Sequence, residues 1–172
     1  MLRGINVGGQ KSVKMAELEK MYASLGYGKV RTYIQSGNVV FECGENPQAS
    51  LEKTISSKIK SKFGFDVAVI VRTPADLEKI IQGNPFKGKD EGRMYVSFLS
   101  ATPSTIPTEA IGKAKGISEE YFISGKEIYM HFPDGYGRTK LSNNFFESKL
   151  KVASTTRNWN TVGRLLEIAK KA

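Results

Sequence analysis

A glycine-rich loop near the start of the chain has residue types that could bind phosphate, since residues 2–12 are LRGINVGGQKS. A nucleotide-hydrolysing loop of the Walker A type needs a lysine directly after its last glycine, where the lysine meets the β and γ phosphates. Here Gln10 separates Gly9 from Lys11, and a helix is expected to begin only near Lys14. The loop therefore does not predict nucleotide hydrolysis.

Two interpretations of this loop remain. Gly8 and Gly9 could present backbone N–H groups to an anion, flanked by Arg3, Asn6 and Lys11. Alternatively, the glycines supply positive φ between a strand and a helix, and Asn6 hydrogen-bonds within its own turn. We favour the second interpretation, because glycine is common in such loops for conformational reasons alone.

Three further clusters combine basic and amide side chains. They surround the turn QSGN at 35–38, the expected helix start near Ser142, and the segment 155–160. Each could bind an anion, since helix N-termini attract negative charge. Turn chemistry and helix capping explain each cluster equally well. The candidate residues for binding an anion or nucleic acid are Arg3, Asn6, Arg31, Gln35, Asn38, Arg138, Lys140, Asn143, Arg157, Asn158 and Asn160.

Catalytic chemistry has little support in the sequence. One cysteine, Cys43, and one histidine, His131, cannot supply a closed zinc site. The four aspartates lie far apart, and His131 has no obvious carboxylate partner in the sequence. We therefore nominate no catalytic residue and no metal ligand, expect no cofactor, and favour a protein that is not an enzyme.

The charge of the chain bears on its partners. Among 172 residues, 26 basic and 17 acidic side chains give a formal charge of +9, and 40% of the residues are hydrophobic. This surplus favours polyanionic partners, although lysines scattered along helices are also typical of a solvated surface. No apolar run reaches the length of a membrane span, and no signal peptide is visible. We expect a cytoplasmic location and no membrane partner.

Hydrophobic periodicity predicts alternating strands and helices in the first half. Leu2–Ile5 would be a strand, followed by a helix over 14–25, a hairpin of strands 29–34 and 39–42, a helix over 51–63, a strand over 67–71, and a helix with Thr73 as its N-cap. This order predicts a ferredoxin-like (βαββαβ) plait followed by an extra helix.

The second half repeats this order. The expected elements are a strand over 94–100, a helix over 108–115, a hairpin of 119–124 and 127–132, a helix over 142–150, a strand over 151–154 and a helix from Trp159. The predicted fold class is α+β, with two tandem ferredoxin-like plaits, each followed by an extra helix. The predicted domains are residues 1–84 and 92–172, joined by a linker at 85–91.

A ferredoxin-like plait that recognises RNA stacks bases on aromatic side chains of its central strands. The strands of the second half carry such aromatic residues. Tyr95 and Tyr129 could stack in this way, but the RNA-binding motif of such plaits is absent. We favour burial of both tyrosines in an interface. Trp159 is expected to be a core residue, because it is in helical register with Val162 and Leu166.

Four stretches of the sequence, LRGINVGG, VRTYIQSGNVVF, YGRTKLSN and TTRNWNTV, occur in the order found in one bacterial family. In these four stretches the chain resembles the family called domain of unknown function 1697. The resemblance implies the tandem plait and, since the family has no established activity, no catalytic residues. Relatives usually have a short apolar run before LRGIN, so the first strand is expected to be short here or to lack its beginning.

The residues and the resemblance leave three functional hypotheses. The first is a binding module, not an enzyme, for phosphate-rich ligands, of which nucleic acid is one candidate. The second is an enzyme or sensor that binds a small anionic metabolite, such as a phosphorylated compound, in a cleft between the plaits. The third is a self-associating structural protein, whose oligomer would form through a sheet face or an edge strand.

Overall fold

The computed structural model describes residues 1–171 and shows a mixed α/β chain with six α-helices and two β-sheets. The predicted α+β class is confirmed. The chain divides into two compact units: unit 1 contains Met1–Leu77 and Arg164–Ala172, and unit 2 contains Glu78–Gly163. Within residues 1–171, no helix has both the length and the apolar character needed to cross a bilayer.

Unit 1 is a hairpin covered by helices. It contains α1 (Met15–Ala23), β1 (Gly28–Tyr33), β2 (Asn38–Glu42), α2 (Gln48–Phe63), the start of α3 (Pro74–Gln82) and the end of α6 (Trp159–Lys170). Buried residues at helical spacing on α1 and α2 pack with two valines that follow α2; they are Leu18, Met21, Leu51, Ile55, Ile59, Val67 and Val69. Gly64 ends α2 in the left-handed region, as its position after Phe63 predicted.

The strands expected at residues 2–5 and 67–71 are reduced to one isolated bridge, between Leu2 and Val69. Arg3 N donates to Ala68 O at 3.0 Å, and Ile70 N donates to Met1 O at 2.9 Å. The pairing stops after Arg3, because Gly4 turns the backbone with a φ of +68°. The two predicted strands were therefore too long.

Unit 2 is built on a four-stranded antiparallel sheet. Its elements, in chain order, are β3 (Met94–Leu99), α4 (Thr108–Ala114), β4 (Glu120–Ser124), β5 (Glu127–His131), α5 (Asn143–Leu150) and β6 (Ser154–Asn158). The strand order across the sheet is β4-β5-β3-β6, with antiparallel pairing throughout. One hydrophobic cluster of the unit contains Leu99, Ile111, Ile128, Met130, Phe132, Leu141, Phe146 and Leu150.

The strand predicted at 151–154 is wrong in its position, since β6 begins only at Ser154. Lys151 caps α5 in the left-handed region with a φ of +58°, so the chain is still turning there. Thr155 and Thr156 pair with Phe98 and Ser97 of β3. Residues 155–158, expected to form a corner before a helix, are thus the strand itself, and α6 begins at Trp159 as predicted.

The boundary between the units also differs from the predicted linker at 85–91. The division falls within α3 and within α6, and residues 85–91 belong to unit 2. They are held there because Phe86 is buried and Lys89 forms an ion pair with Glu120 of β4. A segment rich in turn formers and charge has the composition of a linker, but the burial of Phe86 makes it part of a folded unit.

Candidate anion-binding surface

The opening loop is a tight hairpin. Val7 and Gln10 form an isolated antiparallel bridge, and Gln10 N donates to Val7 O at 3.1 Å. Gly8 and Gly9 are the two residues between them, with φ values of +60° and +74°. Two-residue hairpin turns with both φ values positive favour this pair of glycines. Gly8 and Gly9 therefore supply the positive φ values of a tight turn, which is the interpretation that we favoured from the sequence.

Asn6 connects the loop to the hairpin turn between β1 and β2. Its Nδ2 donates to Val13 O at 3.0 Å and to Gln35 O at 2.8 Å, and its Oδ1 accepts from Val13 N at 2.8 Å. All three contacts are to backbone groups. Because these bonds use the amide on both its donor and its acceptor side, Asn6 acts as a structural residue here.

The turn at 34–37 is tightly packed. Gly37 has a φ of +76°, and a Cβ at this position would lie 2.7 Å from Ile5 Cδ1. Asn38 is fully buried and donates to Tyr33 O and to Ser36 Oγ. Among the candidate residues of unit 1, Arg3 is half-buried, and Arg31 and Gln35 are exposed.

Asn143, at the start of α5, belongs to a cluster of hydroxyl groups inside unit 2. Its Oδ1 accepts from Thr156 Oγ1 at 2.8 Å and from Ser154 Oγ at 3.1 Å. Its backbone N–H donates to Tyr136 Oη at 3.1 Å. Ser142 caps the helix, accepting from Phe145 N, as the sequence predicted. These contacts hold α5 against β6.

Arg157 is buried on β6, where Nη1 donates to Thr155 Oγ1 at 2.7 Å and to Thr156 O at 2.8 Å. Asn158 Oδ1 caps α6 by accepting from Asn160 N at 2.9 Å. Neither residue therefore has the exposed position that a surface anion site requires. Arg138, Lys140 and Asn160 are exposed. Exposed candidates occur in both units, so neither unit gathers the eleven residues into one site.

The two tyrosines considered for base stacking lie inside unit 2. Tyr129 is buried, and its hydroxyl donates to Ile80 O at 3.1 Å. Burial, with a smaller contribution from Glu127, raises the pKa of Tyr129 to about 12. Tyr95 is stacked on Phe132, with ring centroids 5.8 Å apart. The ring contacts of both tyrosines, Tyr129 with Phe122 and Tyr95 with Phe132, are with residues of the same unit.

His131 has a carboxylate neighbour that sequence reasoning missed. Antiparallel pairing places Glu120 opposite it, with Glu120 Oε1 3.7 Å from His131 Nδ1. The same carboxylate forms an ion pair with Lys89, whose hydrogen bond lowers the pKa of Glu120. Glu120 is thus paired with Lys89, while His131 Nδ1 is buried and makes no hydrogen bond within the described residues. Within residues 1–171, no three His, Cys, Asp or Glu side chains cluster as metal ligands.

A cavity of about 730 Å³ opens in unit 1 beside β2. Its walls come from residues 39–44 and 71–74, with Leu77, Leu165 and Ala169 of the helices α3 and α6. Of its charged lining residues, Glu42 is paired with Lys29 at 2.9 Å, and Arg72 Nη1 donates to Val71 O at 2.9 Å. Ligand sites combine apolar walls with a few convergent polar groups, and the charged groups here bind to the protein itself.

The exposed face of α2 carries a second concave surface that sequence reasoning also missed. A shallow groove of about 430 Å³ is lined by two lysines and three hydroxyl residues of α2, with Leu25 beside them. We call this surface the α2 groove; its helix residues are Lys53, Thr54, Ser57, Lys58 and Ser61. Spacings of three and four place them on one side of the helix, beside the face that carries the buried Leu51, Ile55 and Ile59.

The charges around the α2 groove are unevenly neutralised. Lys60 pairs with Asp66 at 2.9 Å, and Lys62 lies 3.6 Å from Glu17. Within the part of the chain that the structure describes, Lys53 and Lys58 have no such acidic partner. Unit 1 as a whole has 14 basic and 8 acidic residues, against 12 and 9 in unit 2. The excess of positive charge is therefore concentrated in unit 1.

Comparison with known proteins places the chain in a family. A family model described as protein of unknown function (DUF1697) matches residues 1–129. Among solved structures, the chain is similar to conserved bacterial protein SP0830 from Streptococcus pneumoniae, with 24% identity, a TM-score of 0.68, and coverage of 98% of this chain and 96% of that one. This likeness shows the fold alone. No curated protein matches the chain. Because the family model spans most of its residues, the chain belongs to the DUF1697 family of proteins of unknown function.

Proposed function

We propose that this protein is a cytoplasmic binding module for phosphate-rich ligands, and that single-stranded nucleic acid is the ligand class. The observation that carries the proposal is the α2 groove, where Lys53 and Lys58 lie among three hydroxyl groups without an acidic partner in the described chain. Lysine ammonium groups and Ser or Thr hydroxyl groups are among the side chains that contact phosphate oxygens. The excess positive charge of unit 1 adds steering toward the groove.

Several residues nominated from the sequence are not part of this groove. Asn6, Asn38, Asn143, Arg157 and Asn158 hold the fold together through hydrogen bonds. The exposed candidates stay candidates for secondary contacts to a polyanion; they are Arg31, Gln35, Arg138, Lys140 and Asn160. Contacts of this kind position a ligand and add affinity, but they carry no base specificity.

The test measures binding of fluorescent single-stranded RNA and DNA by anisotropy over a range of salt concentrations. We expect weak binding that falls as salt rises. The double variant Lys53→Ala with Lys58→Ala should reduce the slope of log affinity against log salt by about 1.4, since each phosphate contact on a single strand contributes about 0.7.

A matched control removes the same formal charge elsewhere. Lys20 and Lys113 are exposed lysines in ion pairs with Glu17 and Glu109. The double variant Lys20→Ala with Lys113→Ala should leave the slope almost unchanged. An equal loss in both double variants would show that binding follows net charge and not the groove, and an absence of binding to any oligonucleotide at low salt would end the nucleic-acid proposal.

A small anionic metabolite is the alternative ligand. It would be favoured if thermal unfolding were shifted by one phosphorylated compound and by no oligonucleotide. The groove is shallow, which supports an extended ligand over a compact one.

We also infer that the chain is built from two ferredoxin-like plaits. Support comes from unit 2, whose elements follow the order strand, helix, strand, strand, helix, strand around one antiparallel sheet. Unit 1 follows the same order if the segments joined by the bridge between Leu2 and Val69 are taken as its first and last strands.

A further inference from the structure

The two edges of the sheet in unit 2 differ in how they are covered. The edge strand β6 has only buried and half-buried residues, whereas β4 alternates between exposed and half-buried ones. Phe122, at the centre of β4, is 50% exposed, and Ile117, just before the strand, is fully exposed. An edge strand presents unpaired backbone N–H and C=O groups to solvent, so β4 is the open edge.

β4 lacks three features that commonly prevent an edge strand from pairing. It contains no proline and no lysine, and it pairs with β5 over five consecutive residues without a shift in register. Natural edge strands are commonly protected by a bulge, a proline or an outward lysine. The absence of all three from β4 leaves a regular, accessible strand.

We propose that β4 is a dimerisation edge, occupied by β4 of a second copy of this chain in antiparallel pairing centred on Phe122. In this register Phe122 lies opposite Phe122 of the second copy, and Tyr121 lies opposite Ile123. Both pairs are apolar, and such cross-strand pairs stabilise sheets. Tyr121 and Ile123 also pack on the core of unit 2, so the pairing continues an apolar surface.

The charge of Glu120 favours antiparallel over parallel pairing of the two β4 strands. The antiparallel register places Glu120 opposite Ser124 of the second copy, whereas a parallel register would place Glu120 opposite Glu120, and like charges directly opposite are unfavourable. An antiparallel pair of identical strands also has the two-fold symmetry of a closed dimer, which does not propagate into a filament.

The first experiment is light scattering on the full chain after size-exclusion chromatography. The wild type should approach twice its mass of 19.0 kDa as concentration rises. Phe122→Lys and Phe122→Glu should each stay monomeric, because they place like charges in contact at the centre. An equimolar mixture of the two should dimerise again. Ile106→Lys, at an exposed apolar residue outside β4, is the control and should dimerise as the wild type does.

Disulfide capture gives a second measurement that does not depend on charged variants folding. In a Cys43→Ser background, Phe122→Cys should form a covalent dimer, since directly opposed residues have Cα atoms about 4.5–5.5 Å apart. Ser124→Cys should not, because four residues of strand, at roughly 3.3 Å each, would separate it from its copy. A wild type that stays at 19.0 kDa at every concentration, or equal capture at both positions, would overturn the proposal.

Discussion

Gly37 shows how a single residue fixes the geometry of unit 1. Leu2 N donates to Gly37 O at 2.9 Å, so the turn of the hairpin lies against the first residues of the chain. A Cβ at Gly37 would lie 2.8 Å from Leu2 Cβ and 2.7 Å from Ile5 Cδ1, in addition to the positive φ. The absence of a side chain here allows the two segments to meet.

Gly37→Ala should therefore be strongly destabilising. We expect a loss of about 1–2 kcal/mol from the left-handed φ and about 1–3 kcal/mol more from overpacking. Gly9→Ala is the matched control, because Gly9 has a φ of +74° and a Cβ added there would meet no atom within 4 Å. Urea unfolding of both variants measures the difference, and equal losses would mean that φ strain alone explains the effect.

At the level of elements, local sequence signals were most reliable where they act within one helix. Thr73 and Pro74 predicted the start of α3. In the structure Thr73 Oγ1 accepts from Asp76 N at 3.1 Å, and Asp76 Oδ2 accepts from Thr73 N at 2.9 Å. This reciprocal arrangement is a capping box. Gln48 Nε2 also donates to Asp76 at 2.7 Å, which links the starts of α2 and α3.

The capping box should make stability depend on acid pH. Burial alone would raise the pKa of Asp76, but hydrogen bonds from Thr73 and Gln48, with the charge of Arg72, lower it overall from 3.8. A lowered pKa stabilises the fold above the unfolded-state value and loses that contribution as pH falls through the folded-state value. Asp76→Asn should therefore cost more stability at about pH 7 than at about pH 3, which lies below the unfolded-state pKa.

Urea unfolding at the two pH values checks this prediction for α3. Asp134→Asn, at an exposed aspartate in a turn, is the control and should change stability equally at both. A loss for Asp76→Asn that is independent of pH would show that the cap acts through shape and not through charge.

Longer-range elements were harder to predict. The strand β6 was expected at 151–154, too early in the chain, because that segment follows a helix directly and the threonines after it resemble a corner. The position of β6 is determined by the pairing of Thr155 and Thr156 with Phe98 and Ser97 of β3. These partners lie far earlier in the chain. No local propensity contains that information.

For the whole molecule, the formal charge of +9 should act on stability as well as on binding. The ion pairs include surface pairs such as Lys20 with Glu17 and Lys60 with Asp66, and such pairs contribute little. Repulsion among the excess lysines and arginines then dominates, and salt screens it over a Debye length of about 10 Å at 0.1 M.

The melting temperature should therefore rise as sodium chloride is increased from very low to about 0.1 M, while affinity for a polyanion falls. Differential scanning fluorimetry measures the first effect, and sucrose at matched osmolality controls for changes that do not involve charge. A melting temperature that falls with salt would show that attractive pairs outweigh the repulsion.

Patterns within the linear chain were enough to predict the α+β class, the family, most helices and the hairpins, because periodicity and capping act between residues close in sequence. Composition likewise identified the excess of positive charge. The folded arrangement was needed to show that Asn6 and Arg157 are structural, that Glu120 lies beside His131, and that Lys53 and Lys58 share a groove. These roles and contacts depend on which segments, distant in sequence, pack against each other in the fold. Only that packing determines which side chains are buried and which groups they hydrogen-bond.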